Sequence, residues 1–274
     1  HSIEADRAIN IEFIGYEAGD SRIDASVTSV GDILVNGSVQ NSEGDTTLTS
    51  TSGRIDLIND TASVGGKNID LTAATGIGVD ADLRTNLTDT ADGRLNAVTT
   101  TGDIGIQEIS GDLKVDQVTT SITSGDVVLA SFGSILGQDA GNLIQGGRIT
   151  LTATYGDIGS LGTGGTAAIP AVDALGININ TGTEERDYLT ADAAGDVFIT
   201  EIDDADPVTS DSLNVWSVET TGNIRLVVTS GDLADVNTNE IRDTRTEAQL
   251  EALWDRMLAT ESTAQQSIDA TIAA

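Results

Sequence analysis

The sequence predicts an all-β fold, a parallel β-helix (β-solenoid) with coils of about 22 to 23 residues, followed by a C-terminal α-helix. Three observations predict it. A short phrase opening on glycine recurs as TTGDIGI, ISGDLKV, GGRITL, YGDIGS, AAGDVFI and TTGNIRL, and appears twice within ITSGDVVLASFGSIL. Apolar residues alternate inside each phrase, which is the side-chain period of a strand. Aromatic residues are only 3% against 30 glycines, so a core must be built from short branched aliphatics, which favour strands.

The period comes from the glycines. Gly102, Gly111, Gly125, Gly133, Gly147 and Gly156 are spaced by 9, 14, 8, 14 and 9, so alternate members lie 22 or 23 apart and two phrases make one period. The same step links Gly31 to Gly53 and Gly53 to Gly76, then stretches to 26 at Gly102 and to 27 between Gly195 and Gly222. The second and fourth residues after glycine are apolar, as in Ile104 and Ile106, Leu113 and Val115, Val127 and Leu129. A strand this short cannot bury its apolar face alone and needs like neighbours above and below. One coil of this length accommodates three short strands and three turns. About ten coils at roughly 4.8 Å each would give a stack of roughly 50 Å.

The residue after glycine runs Asp32, Arg54, Asp103, Asp126, Arg148 in one series and Asp112, Ser134, Asp157 in the other. Polar residues here are expected to satisfy backbone groups of the turn. Two carboxylates one coil apart repel by about 1 kcal/mol even in water, and Arg or Ser interrupts each run.

The solenoid is expected over residues 1–240, with loop insertions near 161–176 and 201–211, each carrying one of the two prolines. INIEFIGYEAG already has the pattern of a strand, so the chain reads as a piece of something longer. After residue 240 the pattern changes. Thr246 with Gln249 forms a capping-box start, and Leu250, Leu253, Trp254, Met257 and Leu258 fall on one helical face. This predicts an amphipathic helix over 246–274, either a cap for the open end of the solenoid or a connector to a further module.

A formal charge of −31 argues against binding nucleic acid or an anionic membrane surface. No apolar run approaches the roughly 20 residues of a membrane span, so no membrane insertion is expected. HSIEADRAIN lacks the basic start and apolar stretch of a signal peptide, and export would rest on a signal upstream. Dense acidity suits a salty, extracellular setting where screening acts over about 8 Å. The absence of cysteine leaves redox compartment open.

Candidate chemistry is sparse. Asp203, Asp204, Asp206 and Asp211 stand close enough in sequence to hold Ca²⁺, and Asp80, Asp82, Asp89 and Asp92 form a second such set. Neither matches an EF-hand loop, and solvated loop charge is the competing reading of both. The only histidine is His1 and there is no cysteine, so no triad can be assembled and no catalytic residue is assigned. The enzymatic alternative is a polysaccharide lyase or hydrolase on a β-helix scaffold. It would need a Lys or Arg base, or converging acids flanked by rings. Lys67 and Lys114 lie within the repeat, Tyr155, Tyr188 and Trp216 are scattered, and Trp254 reads as helix core. The expectation is a protein that is not an enzyme.

Through the phrases TSGDVVLAS and GGRITLTATYGDIGS, residues 27–236 resemble the repeat region of filamentous haemagglutinin-like proteins. These are giant exported bacterial adhesins built on right-handed parallel β-helices. The coil measured here is somewhat longer than is usual in that family, and the helix from 246 is outside its pattern. The resemblance implies a right-handed solenoid and a rigid structural or adhesive module at the bacterial cell surface. Implied partners are other copies or neighbouring modules joined end to end, and cell-surface glycans or proteins. It carries no functional residues across.

Overall fold

The computed structural model describes residues 2–15, 24–88, 93–139, 141–160, 177–181, 187–202 and 212–237. The chain divides into two units, His1–Val236 and Asn237–Ala274. Among the described residues there is no helix, and the predicted helix over 246–274 lies outside them, as does the loop over 161–176.

The first unit is an all-β parallel solenoid of about 8 turns. Its strands form two sheets of 11 strands each, and every pairing within them is parallel. Consecutive strands mostly alternate between the sheets: Ser2–Ala5, Ala25–Ser29 and Thr46–Ser50 stack in the first, Ile9–Gly15 and Ile33–Gln40 in the second. Short branched residues drive this arrangement, since each apolar side chain lands on its equivalent one coil away. In the first sheet Val27, Leu48, Leu71, Ala97, Val118 and Ile144 form one continuous buried column. In the second, Ile33, Ile55, Ile77, Ile104, Val127 and Ile149 do the same.

These columns measure the coil directly. Successive steps in the second are 22, 22, 27, 23 and 22 residues, and the next, from Ile149 to Leu189, is 40. The long steps consume chain without adding a coil. Ile55 pairs with Ile77, so Thr75 and not Gly76 occupies the glycine place of that coil.

Two sheets run the length of the stack where three equal strands per coil were expected. The third segment survives only locally. Ile33–Gln40 pairs with Ile55–Leu57 through its first half and with Ser63–Gly66 through its second. Register against Ile9–Gly15 shifts at the bend. Gly37 makes that bend possible, because a Cβ there would overlap the carbonyl oxygen of Glu12.

Candidate functional site

The residue after each repeat glycine, read from sequence as a turn polar group, is bound to the next coil. The Asp112 carboxylate accepts the backbone N–H of Ser134 (2.8 Å), and the Ser134 hydroxyl oxygen accepts that of Asp157 (3.1 Å). Asp157 in turn accepts from the N–H of Asp196 (2.6 Å), and Asp196 from that of Asn223 (2.7 Å). In the second sheet Asp32 accepts from Arg54, Asp103 from Asp126, and Asp126 from Arg148, at 3.0, 2.9 and 3.1 Å. Each oxygen satisfies a backbone donor on the next coil, 22 or 23 residues further along the chain in most links, 27 from Asp196 and 39 from Asp157. Carboxylates one coil apart are therefore tolerated, because each is turned onto an amide dipole.

This ladder also explains the glycine. A Cβ at Gly133 would run into the Asp112 carboxylate, and one at Gly156 into the Ser134 hydroxyl, so the glycine vacates the space that the capping side chain occupies. Gly and its polar follower are one device split between adjacent coils. Asp157→Ala is expected to cost about 1.5–3 kcal/mol by leaving the Asp196 amide without its charged acceptor. Asp157→Asn, which keeps an acceptor oxygen, should stay within about 0.5 kcal/mol. Urea midpoints measure both, and equal losses would remove the capping role.

The outer surface offsets its acidity in the same column-wise manner. Arg54 bridges the coils through Nε to Asp56 (2.9 Å) and Nη2 to Asp80 (2.7 Å). Arg94 Nε meets Asp116 at 3.0 Å, and Arg148 pairs with Asp126. Asn96 donates to Asp70 at 2.8 Å and Asn68 to Asp45 at 2.7 Å. Burial pushes the carboxyls of Asp56 and Asp82 upward, opposed in Asp56 first by the backbone N–H of Asp80 and then by Arg54.

The candidate calcium ligands Asp203, Asp204, Asp206 and Asp211 lie outside the described residues, as do Asp89 and Asp92. Of the second set, Asp80 is occupied by Arg54, and Asp82 lies where a Cβ at Gly105 would meet its carboxylate. Among the described residues no group of three or more His, Cys, Asp or Glu side chains is placed to hold a metal.

Tyr155, Tyr188 and Trp216, scattered in the sequence, each stand against another ring. Tyr188 and Trp216, 28 positions apart, stand on neighbouring coils with ring centroids 5.2 Å apart and planes 30° apart. The Arg148 guanidinium carbon lies 5.9 Å from the Tyr188 ring centre, and Asp126 followed by Tyr188 raises the affinity of Arg148 for its proton. Phe132 and Tyr155 form a second pair at 4.9 Å, tilted by 56°, and both rings are well exposed. Phe132 and Tyr155 stand one ordinary period of 23 residues apart, whereas the approach of Arg148 to Tyr188 is hidden by the 40-residue step that joins Ile149 to Leu189.

Sequence reasoning missed Glu108 and Glu201, both buried in the solenoid interior. Their signal is a second repeat, GDIGIQEI and GDVFITEI, in which an acid takes the sixth place after glycine, an inward parity.

Comparison of this chain with protein-family models, with curated proteins and with solved structures finds no match.

Proposed function

We propose that the chain is a structural and adhesive module of a large exported bacterial surface protein, acting as a stiff spacer and contact surface. The observation that carries this reading is the capping ladder. The repeat's characteristic polar residues are spent on joining one coil to the next. Length and rigidity are what such a chain gains.

End-to-end partners, either further copies or neighbouring modules, are supported by the terminal coils. Residues that align with buried core positions of the neighbouring coil are uncovered there: Ile3 at one end is 40% exposed, and Ile224 and Leu233 at the other 51% and 56%. The strands Ser2–Ala5 and Leu233–Asp235 are also sheet edges, which recruit further strands. A glycan contact is supported by the stacked Tyr188 and Trp216 beside Arg148, since sugars pack on rings and hydrogen-bond to charged groups. The extracellular setting is supported by the net charge of −31 alone.

Electron microscopy of the purified protein at several concentrations, with and without millimolar calcium, tests the module. Separate short rods are the expected result at low concentration, and ordered fibres would mark the ends as assembly surfaces. Compact particles of neither kind would overturn the reading, and a calcium-dependent change would show that the chain binds the cation.

A further inference from the structure

Glu108 occupies a place that the solenoid otherwise gives to small or uncharged side chains. Its inward column runs Val39, Val64, Thr85, Glu108, Ser131 and Ala153. The side chain is 1% exposed. Its carboxyl group reaches back to the preceding coil, where the Thr85 hydroxyl donates to Oε2 at 2.8 Å and the Leu87 N–H to Oε1 at 3.1 Å. The Ser110 N–H also donates to it.

Among the described residues no cation is paired with this group. The charged side chains on the strands packed against it belong to other partners. Arg84, beside Thr85, sends Nη1 outward to the Asp60 carbonyl oxygen at 2.6 Å. Asp126, which precedes the strand on the other side, pairs with Arg148. On Leu113–Thr119 the charged residues are Lys114 and Asp116, at positions that alternate with the buried Leu113 and Val115, and Asp116 pairs with Arg94. What acts on Glu108 is burial first, then its hydrogen bonds.

The neutral carboxyl fits this pocket well. Its O–H can donate to the Thr85 hydroxyl, which in turn lies 3.5 Å from the Gln107 carbonyl oxygen and can pass the hydrogen-bond chain onward. The ionised form keeps the hydrogen bonds from Thr85, Leu87 and Ser110 but places a charge without a counter-charge in an aliphatic core.

We propose that Glu108 is a proton-operated latch between two coils: protonated, it holds Ile104–Glu108 against Leu83–Leu87, and ionised, it lets that seam open. Burial pushes its carboxyl from an ordinary 4.5 up to about 7. The proton is thus bound more tightly in the closed seam than in the opened one. The latch holds fully below about pH 4.5 and is lost as pH rises through about 7. With those two values, the opening equilibrium rises about 70-fold between pH 5 and pH 8.

Hydrogen–deuterium exchange of the full chain from pH 5 to pH 8, corrected for intrinsic exchange, reads this directly. Peptides covering 83–88 and 104–110 should lose protection by about 70-fold in the wild type. They should keep it in Glu108→Gln, which retains the shape and cannot ionise. The same pH dependence in both proteins, or an equal loss at 149–153, would overturn the proposal. A side-chain carboxyl ¹³C titration of the wild type decides the matter independently of how the variant folds. A midpoint for Glu108 near 7 supports the latch, and one at or below 5 overturns it.

Discussion

Leu129→Ala is expected to lower the unfolding free energy by roughly 2–5 kcal/mol, read as a shift in the urea midpoint. Leu129 is fully buried, between Ile106 on the coil below and Leu151 on the coil above. A cavity here cannot collapse readily. The backbones around it are pinned at coil spacing by five consecutive paired positions on each side, from Ile104–Glu108 below and Ile149–Ala153 above. Leu233→Ala supplies the control, because Leu233 is 56% exposed on the last coil and its truncation should cost under about 0.5 kcal/mol. Equal losses at the two sites would show that the aliphatic columns do not hold the stack.

Gly156→Ala is the second large effect, at about 1–3 kcal/mol or more. The added methyl would stand 2.6 Å from the Ser134 nitrogen and 2.7 Å from the Gly133 carbonyl carbon. Both are backbone atoms. Relief would require the two coils to part, with loss of the hydrogen bond from the Asp157 N–H to Ser134. Gly111 separates this close approach from backbone conformation. It has φ +76° and nothing within 4 Å of a built Cβ, so Gly111→Ala carries only the left-handed strain of about 1–2 kcal/mol. Gly111→Asn should recover part of that loss, since Asn tolerates the left-handed region. No side chain should rescue Gly156, and rescue by Asn there would remove the steric argument.

Much of the fold was legible because the solenoid writes its geometry locally. Glycine spacing gave the period, and parity after glycine gave the buried positions, with Ile104, Ile106, Val127 and Leu129 all fully buried. What stayed hidden depends on register between coils. Nothing in GD tells a reader whether Asp157 turns into its own turn or reaches the N–H of Asp196, 39 residues on. The pairing of Tyr188 with Trp216 is hidden for the same reason. Glu108 was legible in principle, because an acid at an inward parity is a contradiction that burial has to resolve. The acidic stretch over 203–211, the leading candidate for calcium, lies outside the described residues.

The capping ladder has a sense. Every link runs the same way, from an acceptor side chain on one coil to a backbone donor on the next, down to Ser212, whose hydroxyl oxygen accepts the N–H of Asp232. Each coil therefore has two faces that differ in hydrogen-bonding character, backbone donors on one and side-chain acceptors on the other. Such faces complement one another and not themselves. Two copies that continue the ladder must join heterologously, donor face to acceptor face, a mode that extends into a filament unless its rotation closes a ring, whereas a two-fold dimer would set like against like.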